Sequence, residues 1–242
     1  MADIRAIIFD KDGTLFDFEA TWSAWARSLL LDLAAGDTAR AERLGEAIGF
    51  DFAGSRFAES SLVIAGTPGE IAEALLPHVP GASPLTLVAR MNALAAVAPQ
   101  AEAVPLAPLL GALRGQGLRL GVATNDAEGP ARAHLDTAGV LGMFDFIAGF
   151  DSGHGAKPSP GQLLAFAEQM GLRPAEVAMV GDSRHDLHAA RAAGMAAVAV
   201  LSGIAGSAEL QPYADVVLPD IGHLPGWLST RGGLGRVAET AA

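Results

Sequence analysis

With 242 residues, 50% of them hydrophobic and 18% charged, the chain is long enough to bury one large core or two modest ones and too apolar to be disordered. Its formal net charge of −11 speaks against nucleic acid as a partner, since neutralising phosphates needs clustered Lys and Arg, and the absence of Cys excludes disulfides, thiolate metal sites and Cys nucleophiles. No charge-free apolar stretch is long enough to span a bilayer and no basic region precedes the first apolar run, so no membrane partner is expected and the cytoplasm is the expected location.

The first run, Ala6-Ile7-Ile8-Phe9, reads as a strand buried on both faces. It ends in Asp10-Lys11-Asp12-Gly13-Thr14. Asp10 and Asp12 stand two residues apart and so point to one side, while alternation sends Lys11 away from both. A helix over 19–35 follows, with Trp22, Trp25, Leu29 and Leu33 on its buried face. Asp37-Thr38 caps a second helix to about Ile48, stopped at Gly49, and Thr67-Pro68 opens a third with Glu70 in its first turn. A fourth covers 85–97. Between Phe16 and Pro99 the pattern offers no strand, and 50–57 is irregular.

From Pro105 the pattern alternates between helix and apolar strand, as in a parallel sheet. A helix over 106–113 leads to a strand over 118–123, which Thr124-Asn125-Asp126 ends. Pro130 starts a helix to Ala138, and 144–149 reads as a strand. Ser159 is expected to cap, and Pro160 to begin, the helix through Phe166 and Met170. Residues 177–182 form a strand ending in Asp182, a helix runs over 186–193, and strands over 196–200 and 215–218 complete the sheet. The Gly-rich end after Trp227 is expected to fray.

Strand ends in such sheets are where ligands bind, and four of them here carry polar groups: Asp10 with Asp12, Thr124, Lys157, and Asp182 with Asp186. Two close carboxylates repel, and a divalent cation relieves that repulsion. Thr124 and neighbouring backbone N–H groups can donate to a phosphate, and Lys157 is a compact positive charge. Lys11 and Lys157 are the only lysines in a chain that otherwise uses Arg. No His pair has a convincing zinc spacing, so His154, His185 and His188 read as loop or exposed helix residues.

The sequence Asp10-Lys11-Asp12-Gly13-Thr14 resembles the DxDGT signature of the haloacid dehalogenase-like phosphatase superfamily, and Gly181-Asp182-Ser183-Arg184-His185-Asp186 is similar to its GDSxxD motif. With Thr124 and Lys157 between them, all four motifs stand in the family's order. The resemblance covers roughly residues 4–16 and 100–220. It implies an α/β fold, a Rossmann-like parallel-sheet core over 1–15 and 100–242, with an inserted all-helical cap over 16–99 like that of phosphoglycolate phosphatase-like members. Lys11 stands where the family often has an apolar residue.

By this resemblance Asp10 is the nucleophile and Asp12 the acid and base. Thr124, Asn125 and Lys157 would bind the phosphoryl group. Asp10, the Asp12 carbonyl, Asp182 and Asp186 would hold Mg²⁺. The implied partner is a small phosphorylated metabolite, and a monomer or homodimer is expected. A sugar-phosphate mutase and a noncatalytic binder on the same fold are the alternatives. Arg56, in the irregular stretch of the insertion, is the cationic side chain expected to reach toward Asp10 and bind a substrate carboxylate.

Overall fold

The structure, a computed structural model, describes residues 3–231. Strand β1 (Ala6–Phe9) is fully buried, and its alternation divides the interior: Ile7 and Phe9 join one apolar cluster, Ala6 and Ile8 another. After β1 the chain leaves the sheet for α1 (Phe18–Leu33) and α2 (Thr38–Ala47), both capped by Asp side chains, a short hairpin β2 (Phe50–Asp51) and β3 (Arg56–Phe57), then α3 (Pro68–Leu75) and α4 (Pro84–Ala95). It returns through α5 (Leu106–Gly115), β4 (Arg119–Ala123), α6 (Glu128–Thr137), β5 (Phe146–Ala148), α7 (Gly161–Met170), β6 (Val177–Gly181) and α8 (Arg184–Ala193). The remaining elements are β7 (Ala196–Val200), α9 (Ser207–Leu210), β8 (Val216–Leu218) and α10 (Leu224–Arg231).

The six strands of the main sheet are all parallel, in the order β5-β4-β1-β6-β7-β8. β1 therefore lies at the centre, with β4 and β6 as neighbours. Their carboxyl ends bring the residues after Phe9, Ala123 and Gly181 side by side. The insertion has a separate apolar cluster, built on Trp22, Trp25, Leu29 and Leu30 of α1, Phe50, Phe57, Leu75 and Met91. Its two connections run against each other, Asp17 N–H donating to Ala101 O at 2.8 Å and Ala103 N–H to Leu15 O at 2.9 Å.

The main helices, strands and sheet follow the sequence expectation, with shifts of about two residues at some element starts, a short helix α9 that the pattern does not mark, and differences in the insertion, at the start of α7 and near the end of the chain. The insertion is not all helical: β2 and β3 pair antiparallel, Phe50 opposite Phe57, because Phe50-Asp51-Phe52 alternates inward and outward at the period of a strand. The Phe50 and Phe57 rings pack at 4.8 Å between centroids, and Asp51 Oδ1 accepts from Gly54 N–H at 2.9 Å to close the turn. Ser159 does not cap α7. Pro160 takes the cap position in an αR conformation, and no side chain bonds the first turn.

Helix α6 begins two residues before Pro130, at Glu128, since Pro is tolerated anywhere in the first turn. Beyond Trp227, α10 continues to Arg231, and the rest of the Gly-rich end lies outside the described residues. Among the described residues no helix is long and apolar enough to cross a membrane.

Candidate active site

Each strand end contributes a group. Asp10 extends the β1 ladder, its N–H donating to Val180 O at 2.8 Å, which fixes its carboxylate beyond the sheet edge. The Asp182 side chain lies so near the turn after β1 that a Cβ on Gly13 would come within 2.3 Å of Asp182 Oδ2. Gly13 also has φ +80°, so both the backbone and the space require Gly there. Ser183 caps α8, its N–H and Oγ bonding Asp186 Oδ2 at 3.0 and 2.6 Å, which leaves Asp186 Oδ1 facing the site.

Lys157 Nζ sits 2.6 Å from Asp10 Oδ1 and 2.6 Å from Asp186 Oδ1. One ligand oxygen each from Asp10, Asp182 and Asp186 lies within 4.8 Å of the others. All four groups are buried. Three carboxylates against one ammonium leave two negative charges uncompensated, and a buried site does not tolerate that unaided. Burial, partly countered by Lys157 and reinforced by Asp186 and Asp12, pushes Asp10 up to about 7. Asp182 is pushed well above the usual carboxylate range by burial and then by Asp10 and Asp186. Burial alone would lower Lys157, but Asp10 and Asp186 outweigh it, and its ammonium is held charged. The oxygen donors and missing double charge fit Mg²⁺.

Thr124, 2% exposed, accepts Asp126 N–H on its Oγ1 at 3.0 Å, leaving its hydroxyl hydrogen to donate into the cleft. Asn125 has a different part from the one expected. Its Oδ1 accepts Lys157 N–H at 2.8 Å, and Nδ2 donates to Lys157 O at 2.9 Å and to Ala65 O of the insertion at 2.8 Å. Both amide hydrogens are committed, so the side chain buckles the Lys157 loop in place and has no donor left for a phosphate.

Two further expectations are corrected. Lys11 does not point away from Asp12: the turn at Gly13 ends the strand alternation, and Lys11 Nζ lies 2.8 Å from Asp12 Oδ1 and 2.7 Å from Oδ2, fully buried. Arg56 is not brought to the site. Its side chain is 76% exposed on β3, with Nε 3.6 Å from Asp51 Oδ2, because the hairpin turns that face of the strand to solvent.

The sequence pattern alone gives neither His134 nor Asp126 a place in the site. Both are buried behind Asp12 around Lys11. The signal for His134 was its place beside Ala131 and Leu135 on the buried face of α6.

A cleft over these groups is roofed by the insertion. Asp10, Asp12, Thr124, Lys157 and His185 line its floor, and Phe18, Trp22, Val63, Ile64, Ile71 and Met91 line the cap side. No Arg of the insertion is among its lining residues.

A central acidic pair at the end of a parallel strand, a buried Lys and a second acidic pair under an inserted cap define a Rossmann-like enzyme for phosphate chemistry. A family model described as haloacid dehalogenase-like hydrolase matches residues 4–194, and the chain belongs to that family. Within it the chain is a phosphatase. It is 35% identical over 233 residues, 93% of this chain and 90% of its relative, to a phosphoglycolate phosphatase from Rhodospirillum rubrum. Among solved structures it is similar to a Haemophilus somnus protein predicted to be a phosphoglycolate phosphatase, at TM-score 0.72 and 20% identity, covering 94% of this chain and 99% of the other. It is also similar to a β-phosphoglucomutase from Clostridium difficile, at TM-score 0.64 and 18% identity, covering 94% and 98%. At such identities the two structures speak for the fold alone.

Proposed function

We propose that the protein is a magnesium-dependent phosphatase that hydrolyses a small phosphorylated metabolite through an aspartyl-phosphate on Asp10. The observation that carries this is the meeting of Asp10, Lys157 and Asp186 at 2.6 Å contacts, with Asp182 close enough to share one cation. Asp10, Asp182 and Asp186 would hold Mg²⁺, with the Asp12 main-chain carbonyl as the ligand that the family resemblance adds. When bound, the metal supplies the charge that keeps Asp10 ionised and offsets the phosphoryl oxygens.

In the first step an Asp10 oxygen bonds to phosphorus as the ester P–O bond breaks, and Asp12 gives a proton to the departing alkoxide. In the second, Asp12 takes a proton from water as its oxygen bonds to phosphorus. The Asp10–phosphorus bond breaks and inorganic phosphate leaves. Lys157 lies against Asp10, where it balances the charge of nucleophile and phosphoryl group together, and the Thr124 hydroxyl donates to a phosphoryl oxygen.

The leading substrate is a two-carbon phosphorylated acid of the phosphoglycolate type, the activity for which the Rhodospirillum rubrum relative is named. So small an acid places its carboxylate near the core rather than deep in the cap. His185 lines the cleft together with Lys157. Release of phosphate from phosphoglycolate and from a panel of metabolite esters, with Mg²⁺ and with excess chelator, tests the reading. Full activity in chelator would refute the metal's role. Sugar phosphates isomerised without phosphate release would favour a mutase instead.

A further inference from the structure

Behind Asp12 lies a buried group that the reaction above does not use. Lys11 is fully buried, and its Nζ contacts both Asp12 oxygens, lies 3.0 Å from His134 Nδ1 and stands 3.3 Å from Asp126 Oδ2. Among the described residues it is the only hydrogen-bond donor to the Asp12 carboxylate. An ammonium has only donors, so Nδ1 of His134 must be the accepting nitrogen and Nε2 carries the hydrogen. That Nε2–H donates to Ala95 O, at the end of α4, at 2.6 Å. The network thus sets the tautomer. Asp126 is fixed in turn by Ala127 N–H at 2.7 Å.

An apolar side chain at position 11 would fill this space without the desolvation that a buried ammonium incurs. What Lys11 supplies in exchange is direction: without it the Asp12 carboxyl could rotate freely at the floor of the cleft. We propose that Lys11 is a positioning residue for Asp12, itself held by the His134 acceptor, and that it sets where the acid and base of the reaction stands. This rests on the reading of Asp12 as acid and base.

The readout is leaving-group selectivity. A group that places the acid matters when the departing alkoxide is a strong base and matters little when it leaves unaided. The ratio of kcat/KM for an alkyl phosphate to that for p-nitrophenyl phosphate is measured with Mg²⁺ on one preparation, so any loss of folded protein cancels. Asp12→Asn should lower this ratio on the order of 10²-fold. Lys11→Met should lower it in the same direction by roughly 10-fold, since an unfixed acid still acts part of the time.

His134→Gln, whose amide can still reach Ala95 O but offers no acceptor to Lys11, should lower the ratio too. His134→Asn, whose oxygen falls near Nδ1, should keep it close to the parent value. Equal losses on both substrates for Lys11→Met, or no loss on either, would overturn the proposal. An unchanged ratio for Asp12→Asn would instead overturn the reading of Asp12.

Discussion

The sheet core and the inserted cap solve the same problem of burial in opposite ways. In the core, charged side chains are buried together at the ends of β1, β4 and β6: Asp10, Lys11, Lys157, Asp182 and Asp186 are all 8% exposed or less. In the cap, the buried side chains are overwhelmingly apolar, and charges stay outside, as in Arg90 with Asp32 and Arg56 with Asp51. Ion pairs of that exposed kind contribute little to stability, whereas breaking a buried one leaves an uncompensated charge. Chemistry is therefore assigned to the core and shape to the cap, and substitutions should divide the same way.

The largest effect is expected in the core. Asp10→Asn removes the proposed nucleophile and should lower kcat on the order of 10³-fold or more for every substrate. Because the same change also relieves a buried, crowded carboxylate, it should leave the metal-free melting temperature unchanged or higher. Parent-level turnover would break the assignment of chemistry to this strand end.

Next comes the effect of pH on the metal-free protein. Asp10 is raised to about 7 from an ordinary Asp value, so the folded state holds a proton that the unfolded state has released. Stability is then greatest below the unfolded value and is lost as pH rises through about 7. His134, lowered to about 4 by burial and the Lys11 charge, acts oppositely, but its window lies below about 6.5. Between pH 6.5 and 8.5 the metal-free melting temperature should fall, and Mg²⁺ should raise it more at pH 8.5 than at pH 6.5. Thermal melts at both pH values, with and without the ion, check this. A Mg²⁺ shift larger at the lower pH would contradict the crowded-carboxylate account.

A smaller effect is expected from the cap side of the cleft. Ile64 lines it and is half-buried, so Ile64→Ala trims the roof and leaves the core untouched. It should lower kcat/KM several-fold for an ester with a bulky alcohol, through lost apolar contact, and change phosphoglycolate turnover little. Steady-state kinetics on both substrates would show the split. A uniform fall would mean that the roof also positions the phosphoryl group.

How much was legible in the sequence follows the same division. The core strands could be read because each is a short apolar run, and three of them, β1, β4 and β6, stop at the polar residues of the candidate site: Asp10, Thr124, Asp182. What could not be read is where a side chain goes once the strand has ended. Lys11 looked directed away from Asp12 while the strand period was assumed to continue, and the turn at Gly13 reversed that. His134, 123 positions away from Lys11, joins it only when α6 packs beneath the cap, and no local pattern encodes so distant a meeting. Asn125 sits beside Thr124 in sequence, yet its amide is taken by the Lys157 loop, which the chain alone does not place there. In the cap, the helices were marked by their caps and apolar stripes, but a hairpin with two-residue strands is shorter than any periodic signal.

The smallest effect concerns Arg56, which the sequence offered as the carboxylate partner and the structure places on the outer side of the hairpin. Among the described residues its guanidinium has one acidic neighbour, Asp51, at 3.6 Å, and both side chains are largely in water, 76% and 48% exposed. At that exposure the pair is screened and its ordering entropy offsets most of the attraction, so Arg56→Ala should change stability by no more than about 0.5 kcal/mol. The residue does not line the cleft, so no ground-state contact is lost either. kcat/KM should stay within about twofold of the parent for phosphoglycolate and for p-nitrophenyl phosphate alike, a change too small to count as a lost charge-assisted contact. A strong rise in KM confined to the carboxylated ester would mean that the hairpin swings inward when substrate binds. The cap would then contribute charge as well as shape, and the division between the two regions would fail at that point.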